Sequence, residues 1–185
     1  MIDQVYQTAE RKMHRAVEVL QHDLGTLRTG RASPALLEKV QVEAYGTPMP
    51  LNGLATISVP EPRLLVIQPW DKKMLPAIEK AIQKSDLGLT PSSDGTVVRL
   101  SIPPLNEERR RDLVKMVHKR VEEARVAVRN CRRDAVEELR KAERDQHIPE
   151  DQVKRAQDRL QKLTDDTIKQ VDEVGRRKEG EVMEI

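Results

Sequence analysis

NEERRRDLVKMVHKRVEEARVAVRNCRRDAVEELRKAERDQ, residues 106–146, contains neither proline nor glycine, and how it is read decides the fold. Its small and aliphatic residues Leu113, Val117, Val121, Ala124, Val128, Cys131, Ala135, Leu139 and Ala142 recur at the three- and four-residue steps of an amphipathic helix. Asn106 is a good N-cap, and Glu107 and Glu108 fall in the first turn, where the helix dipole favours negative charge. Such a helix would be about 60 Å long at a rise of 1.5 Å per residue. An apolar stripe of that length cannot be left in water, so it calls for partners along its whole extent.

Two other segments offer matching stripes. Before residue 30, Ile2, Val5, Ala9, Met13, Ala16, Leu20, Leu24 and Leu27 step by three or four until Thr29-Gly30 stops the pattern. After HIPED (147–151), whose Pro149 suits the first turn of a new helix, Val153, Ala156, Leu160, Leu163, Thr167, Val171 and Val174 repeat it, with Gly175 and Gly180 expected to weaken the end. Three stripes facing one axis close a core, which predicts a three-helix bundle. A dimeric coiled coil would leave the first helix without a partner.

Between the first and second helices the texture changes. Residues 31–104 hold most of the prolines and the short β-branched runs VQVEA (40–44), ATISV (55–59), LLVI (64–67) and TVVRLSI (96–102), which read as strands. Asp71 can cap a short helix whose Leu75, Ile78 and Ile82 face inward, ending near Gly88. The expected class is therefore α+β: a bundle from residues 1–30 and 105–185, with a small mixed α/β domain, 31–104, inserted after the first helix. The chain crosses between them twice, at Thr29-Gly30-Arg31 and at Pro103-Pro104-Leu105, a twin connection that limits twisting but permits bending.

Composition narrows the function. The 33 basic and 31 acidic side chains nearly cancel, leaving a formal +2, so any attraction for a polyanion has to be local. With no phenylalanine, one tryptophan and two tyrosines, the core is expected to be thin and aliphatic. The single cysteine, Cys131, excludes an intramolecular disulfide and fits a reducing, cytoplasmic setting. No stretch approaches the roughly 20 apolar residues that a membrane span needs.

The local charge lies on the long helix. Taking about 100° per residue, Arg129 and Arg132 fall within about 40° of Arg125, and together they flank the apolar seam. With Arg133 beside them, the eleven residues 125–135 carry four arginines, whose planar forks suit phosphate and can stack on bases. In so charged a helix a solvated face pairing with its own carboxylates is the more ordinary account, and periodicity leaves both readings open. Arg28 and Arg31, and the run Arg109 to Arg111, sit at the two crossings and share the ambiguity.

Chemistry is harder to find. There is no glycine-rich phosphate loop, zinc-ligand pair or nucleophile elbow, and His14, His22, His118 and His147 never stand at metal-ligand spacing. His118 and Cys131 lie about 20 Å apart along one helix, too far for a base and its nucleophile. The reading is of a protein that is not an enzyme, with no catalytic residue, metal or cofactor.

LRTGRAS (27–33), RLLVIQPWD (63–71), IEKAI (78–82), SDLGL (85–89), PPLNEERRRDLVK (103–115) and EARVAVRNCRRDA (123–135), in this order, closely resemble the bacterial ribosome recycling factor family over almost the whole chain. Thr90, Ala44, Cys131 and Asn106 depart from the residues common there, none of them on the arginine face. The resemblance implies an L-shaped monomer of roughly transfer-RNA outline that binds the post-termination ribosome. With elongation factor G and its GTP hydrolysis, such a factor splits the subunits and releases messenger and deacylated transfer RNA. It implies contacts to large-subunit ribosomal RNA at Arg28, Arg31, Arg110, Arg129 and Arg132, to which the face on the long helix adds Arg125 and Arg133. It also implies a hinge at Thr29, Gly30, Arg31, Pro103, Pro104 and Leu105, and an α/β domain that meets elongation factor G. The alternative from another class is a cytosolic helical scaffold that binds protein partners without RNA.

Overall fold

The computed structural model describes residues 1–184 and divides into two compact units. One combines Met1–Leu24 with the chain from Asp112 onward; the other is Gly25–Arg111.

The first unit is built on three helices: α1 (Ile2–Gly25), α3 (Glu107–Gln146, whose opening turn belongs to the second unit) and α4 (Glu150–Met183). Val5 and Ala9 of α1 share one core cluster with Ala135 and Leu139 of α3 and with Val153, Ala156 and Leu160 of α4. Farther along, Asp23 approaches Arg120, and Asp172 meets Arg125. Both α1 and α4 thus run antiparallel to α3, as a bundle with one axis requires. Each fully buried leucine, such as Leu139 or Leu160, contributes on the order of 2 kcal/mol by leaving water. Thr164 and Thr167 lie in the same seam and donate to the carbonyls of Leu160 and Leu163, both at 2.7 Å, which satisfies their hydroxyls within α4.

The end of α4 departs from expectation. Gly175 and Gly180 do not interrupt the helix, which continues to Met183; Gly175 is buried against α3, and a Cβ built on it would stand 2.6 Å from Cγ2 of Val121. The glycine is the notch into which Val121 fits. Its cost in helix propensity, about 1 kcal/mol against alanine, is offset by the close packing of the two helices. Cys131 is half-buried, at the edge of a groove between α1 and α3, and not in the seam itself; burial pushes its thiol above the usual range.

The second unit holds two antiparallel sheets and helix α2 (Leu75–Lys84). Strands β1 (Gln41–Ala44) and β2 (Thr47–Pro50) form a hairpin whose turn residues, Tyr45 and Gly46, both have positive φ, 53° and 83°, as in the two-residue turn that matches strand twist. Strands β3 (Ala55–Glu61), β4 (Leu64–Pro69), β5 (Pro91–Ser93) and β6 (Val98–Ser101) make the other sheet, in the order β3-β4-β6-β5. Leu65, Ile67, Val98 and Leu100 from its centre pack with Ile78 and Ile82 of α2 in one core. Asp71 accepts from the N–H of Lys73 at 3.0 Å and starts a short 3₁₀ turn that leads into α2.

The units divide before residue 30 and after residue 104, outside the bounds suggested by Gly30 and the proline pair. The reason lies in local bonds. Arg28 donates to the carbonyl of Leu87, which ties the chain just before Thr29 to the α/β unit, while Ala32 donates to Pro62 at 2.7 Å and Ile102 to Arg63 at 2.8 Å and anchor the residues that flank the two crossings.

Candidate nucleic-acid interface

The interface starts with the regularity of α3. Asn106 Oδ1 accepts from the backbone N–H of Arg109 at 2.7 Å, so a free donor of the first turn is satisfied, and no helix breaker interrupts the forty residues that follow. A rod of this kind holds its arginines at fixed angles. The structure gives them different surroundings.

Arg125 is committed inside the bundle. Its Nε donates to Asp172 Oδ1 at 2.8 Å, its Nη2 lies 2.6 Å from the same oxygen, and its Nη1 donates to Glu122 Oε2 at 3.1 Å. These carboxylates, Asp172 foremost, hold the guanidinium firmly in its charged form. The side chain is a strut between α3 and α4, and its fork is spent on that task. Arg129 is more exposed and lies 3.6 Å from the other oxygen of Glu122, a solvated pair worth well under about 1 kcal/mol. Arg133 is exposed, with its Nε 3.8 Å from Asp134 Oδ1. Both are open to an external anion.

Arg132 is the unusual member. It is half-buried, its Nε is shut off from solvent, and that nitrogen has no hydrogen-bond partner. Among the described residues one other buried side-chain nitrogen or oxygen shares this condition: Nε of Arg110, also half-buried, in the first turns of α3. Burying a charged donor without an acceptor costs free energy that folding alone does not return. In a chain with 31 carboxylates, acceptors for these two positions are not scarce.

The crossings place the remaining candidates within the α/β unit. Arg28 reaches across to the carbonyl of Leu87, while Arg31 is exposed and has an interaction of its own. Thr29 between them is buried. Gly30 takes a φ of +77°, and a Cβ there would meet Leu105 Cγ at 3.1 Å, so this turn needs glycine twice over. Pro103 and Pro104 are exposed and Leu105 is half-buried.

Sequence reasoning missed the Arg125–Asp172 pair, because its members lie 47 residues apart on different helices. It also missed Arg159 of α4, whose guanidinium lies 4.3 Å from the ring centre of Tyr6 and 3.8 Å from Asp3. The only available signal was antiparallel pairing of α3 with α4, which would have aligned positions 125 and 172. His118 lies 3.3 Å from Glu179 of α4. Among the described residues no grouping of three or more His, Cys, Asp or Glu is placed to hold a metal, and no helix is long and apolar enough to cross a membrane.

Comparison with known proteins adds the following. The sequence model of the family described as ribosome recycling factor matches residues 20–183. Ribosome-recycling factors of Carboxydothermus hydrogenoformans and Symbiobacterium thermophilum are 60% and 57% identical to this chain over 185 residues, with full coverage of both partners in each case. A solution structure of a ribosome recycling factor superposes with a TM-score of 0.80 at 48% identity, covering 100% of this chain and 98% of that one. A second structure, described as models for the T. thermophilus ribosome recycling factor and the E. coli elongation factor G bound to the E. coli post-termination complex, gives 0.70 at 48% identity, with both chains fully covered.

Proposed function

Because the chain belongs to the ribosome recycling factor family, we propose that it binds the post-termination ribosome in the cytoplasm and, with elongation factor G, parts the subunits to release messenger and deacylated transfer RNA. The elongation factor hydrolyses the GTP. This chain supplies a binding surface and leverage, and no group of its own enters a covalent step.

The arginines of α3 and of the first crossing are the part that grips. Arg110, Arg129 and Arg132 face large-subunit ribosomal RNA, with Arg28 and Arg31 at the crossing and Arg133 at the margin, while Arg125 keeps α3 and α4 in place behind them. The observation that carries this reading is the pair of stranded Nε atoms at Arg110 and Arg132. A phosphate at the open edge of each guanidinium would compensate for a charge that the fold leaves without a carboxylate. The α/β domain is the part that elongation factor G pushes, and bending at Thr29-Gly30-Arg31 and Pro103-Pro104-Leu105 carries the displacement.

Phosphate contacts release counterions, so binding should weaken steeply with salt. Five such contacts amount to a fall of about 10²- to 10³-fold between 50 and 200 mM. Pelleting with purified large subunits across that range tests the reading: an Arg110→Ala, Arg132→Ala double variant should bind more weakly and lose about two contacts' worth of slope. Unchanged affinity and slope would overturn it.

A further inference from the structure

The α/β unit places two of the chain's three aromatic residues at its surface. Tyr45 is 73% exposed and Trp70 67%, the highest values for a large apolar side chain among the described residues. A single exposed ring would mean little. These two are distinguished by how they are held.

Tyr45 opens the β1–β2 turn at a φ of +53°, in the left-handed region where a bulky side chain is an outlier and asparagine is the usual occupant. The backbone conformation works against a tyrosine there, and burial does not compensate. Its hydroxyl donates to Asp71 Oδ2 at 3.1 Å. Trp70, the residue before that aspartate, donates from Nε1 to Thr56 Oγ1 at 3.0 Å. Each ring is thus tethered at its polar tip while most of its surface stays open, which limits the rotamer entropy lost when a flat group stacks on it.

The charges beside the rings favour an anionic partner. Both oxygens of Asp71 are engaged, Oδ2 by Tyr45 and Oδ1 by the N–H of Lys73 at 3.0 Å. Lys72 and Lys73, which follow it, are exposed, and among the described residues neither ammonium group is in an ion pair. Glu43, two residues before Tyr45, lines a cleft together with Lys39, Lys80 and Lys84. Lysine is depleted in protein interfaces, whereas sites for unpaired nucleic acid combine aromatic faces with positive charge.

We propose that Tyr45 and Trp70 form a stacking surface for unpaired RNA, each ring taking one base, with Lys72 and Lys73 holding backbone phosphates. Every base has a π-face, so the contact tolerates changes of sequence. The surface uses none of the arginines assigned above, and either interface can fail without the other.

Trp70 is the only tryptophan, so its fluorescence reports on this surface and not on the arginines. Titration of the full chain with the octamer r(CACACACA), which cannot pair with itself, should quench that emission at submillimolar strand. An Arg110→Ala, Arg132→Ala variant should keep the quench. Tyr45→Asn suits the turn, so thermal stability should hold or rise, while affinity for the octamer should fall about 5- to 150-fold, the range of one base–aromatic stack. A Lys72→Ala, Lys73→Ala variant should flatten the salt dependence by about 1.4 in log–log slope, at about 0.7 for each phosphate of a single strand. The reverse of any of these results overturns the proposal, as does a duplex of the same length that binds as tightly. A terminally blocked (Pro-Arg)₄ peptide that quenches Trp70 at lower concentration than the octamer would also overturn it and assign the rings to a protein.

Discussion

Arg125 and Arg132 stand about two turns apart on α3, yet replacing each with methionine should produce opposite signatures. Methionine keeps the apolar stem and removes the charge. At position 125 it strips Asp172, which is 31% exposed, of its partner and breaks three short contacts between charged groups. Such bonds contribute about 1.5–3 kcal/mol when shielded. Partial exposure reduces this to about 1–2 kcal/mol, or roughly 4–16 °C in the melting of the bundle. Ribosome affinity should change little. At position 132 the same change removes a buried donor that has no acceptor, so the relief offsets the lost packing and the melting temperature should stay within about 2 °C. Affinity for the large subunit should fall about 10- to 150-fold, the equivalent of one charge-assisted contact of 1.5–3 kcal/mol. Differential scanning calorimetry and subunit pelleting, run on both variants, give the four numbers. A loss of stability at 132 with unchanged affinity would mean that Arg132 is a structural residue and that the reasoning from its stranded nitrogen is wrong.

Gly175→Ala should destabilise the bundle despite alanine's better helix propensity, since its Cβ would stand 2.6 Å from Val121; combined with Val121→Ala, the loss should be smaller than the sum of the two single losses in a chemical-denaturation cycle. Gly30→Ala forces a side chain into a φ of +77° against Leu105 and should cost about 1–2 kcal/mol, with subunit splitting slowed in a reconstituted assay. The N–H groups of Thr96 and Val97, with Arg99 beside them, hold the Asp94 carboxyl far below its ordinary value of 3.8. Its contribution to the β5–β6 turn is therefore complete above that value and is lost only as pH falls through the depressed one, so the Thr96 and Val97 amide shifts should stay constant from neutral pH to about pH 4 and move only below it.

The bundle was readable because its signal is periodic. All but one of the α3 seam residues named from spacing are buried, and Cys131 fails because it lies at the rim of the stripe toward α1. In α4 the spacing pointed to Leu163 and Val174, whereas the buried positions are Thr164 and Gly175, whose small or self-satisfied side chains carry no hydrophobic mark. Strands β2 and β5 were not expected at all. Pro48, Pro50 and Pro91 argued against them, and the structure keeps each at a position where no ladder donor is required or at an edge. The arginine face followed from helical angles, but which of its members are free could not, because Asp172 belongs to another helix.

The notch at Gly175 has a mechanical consequence. Most of the α3–α4 seam is aliphatic, and Thr164 and Thr167 turn their hydroxyls back on their own helix, so these hydroxyls form no bond that fixes the axial register between the two helices. Moving α4 by one turn, about 5.4 Å, would set Val121 against the branched side chain of Val171 in one direction or the carboxylate of Glu179 in the other. Val121 thus works as a detent, backed by the Arg125–Asp172 strut one turn away. Under a load along the rod, shear stiffness is concentrated at this end.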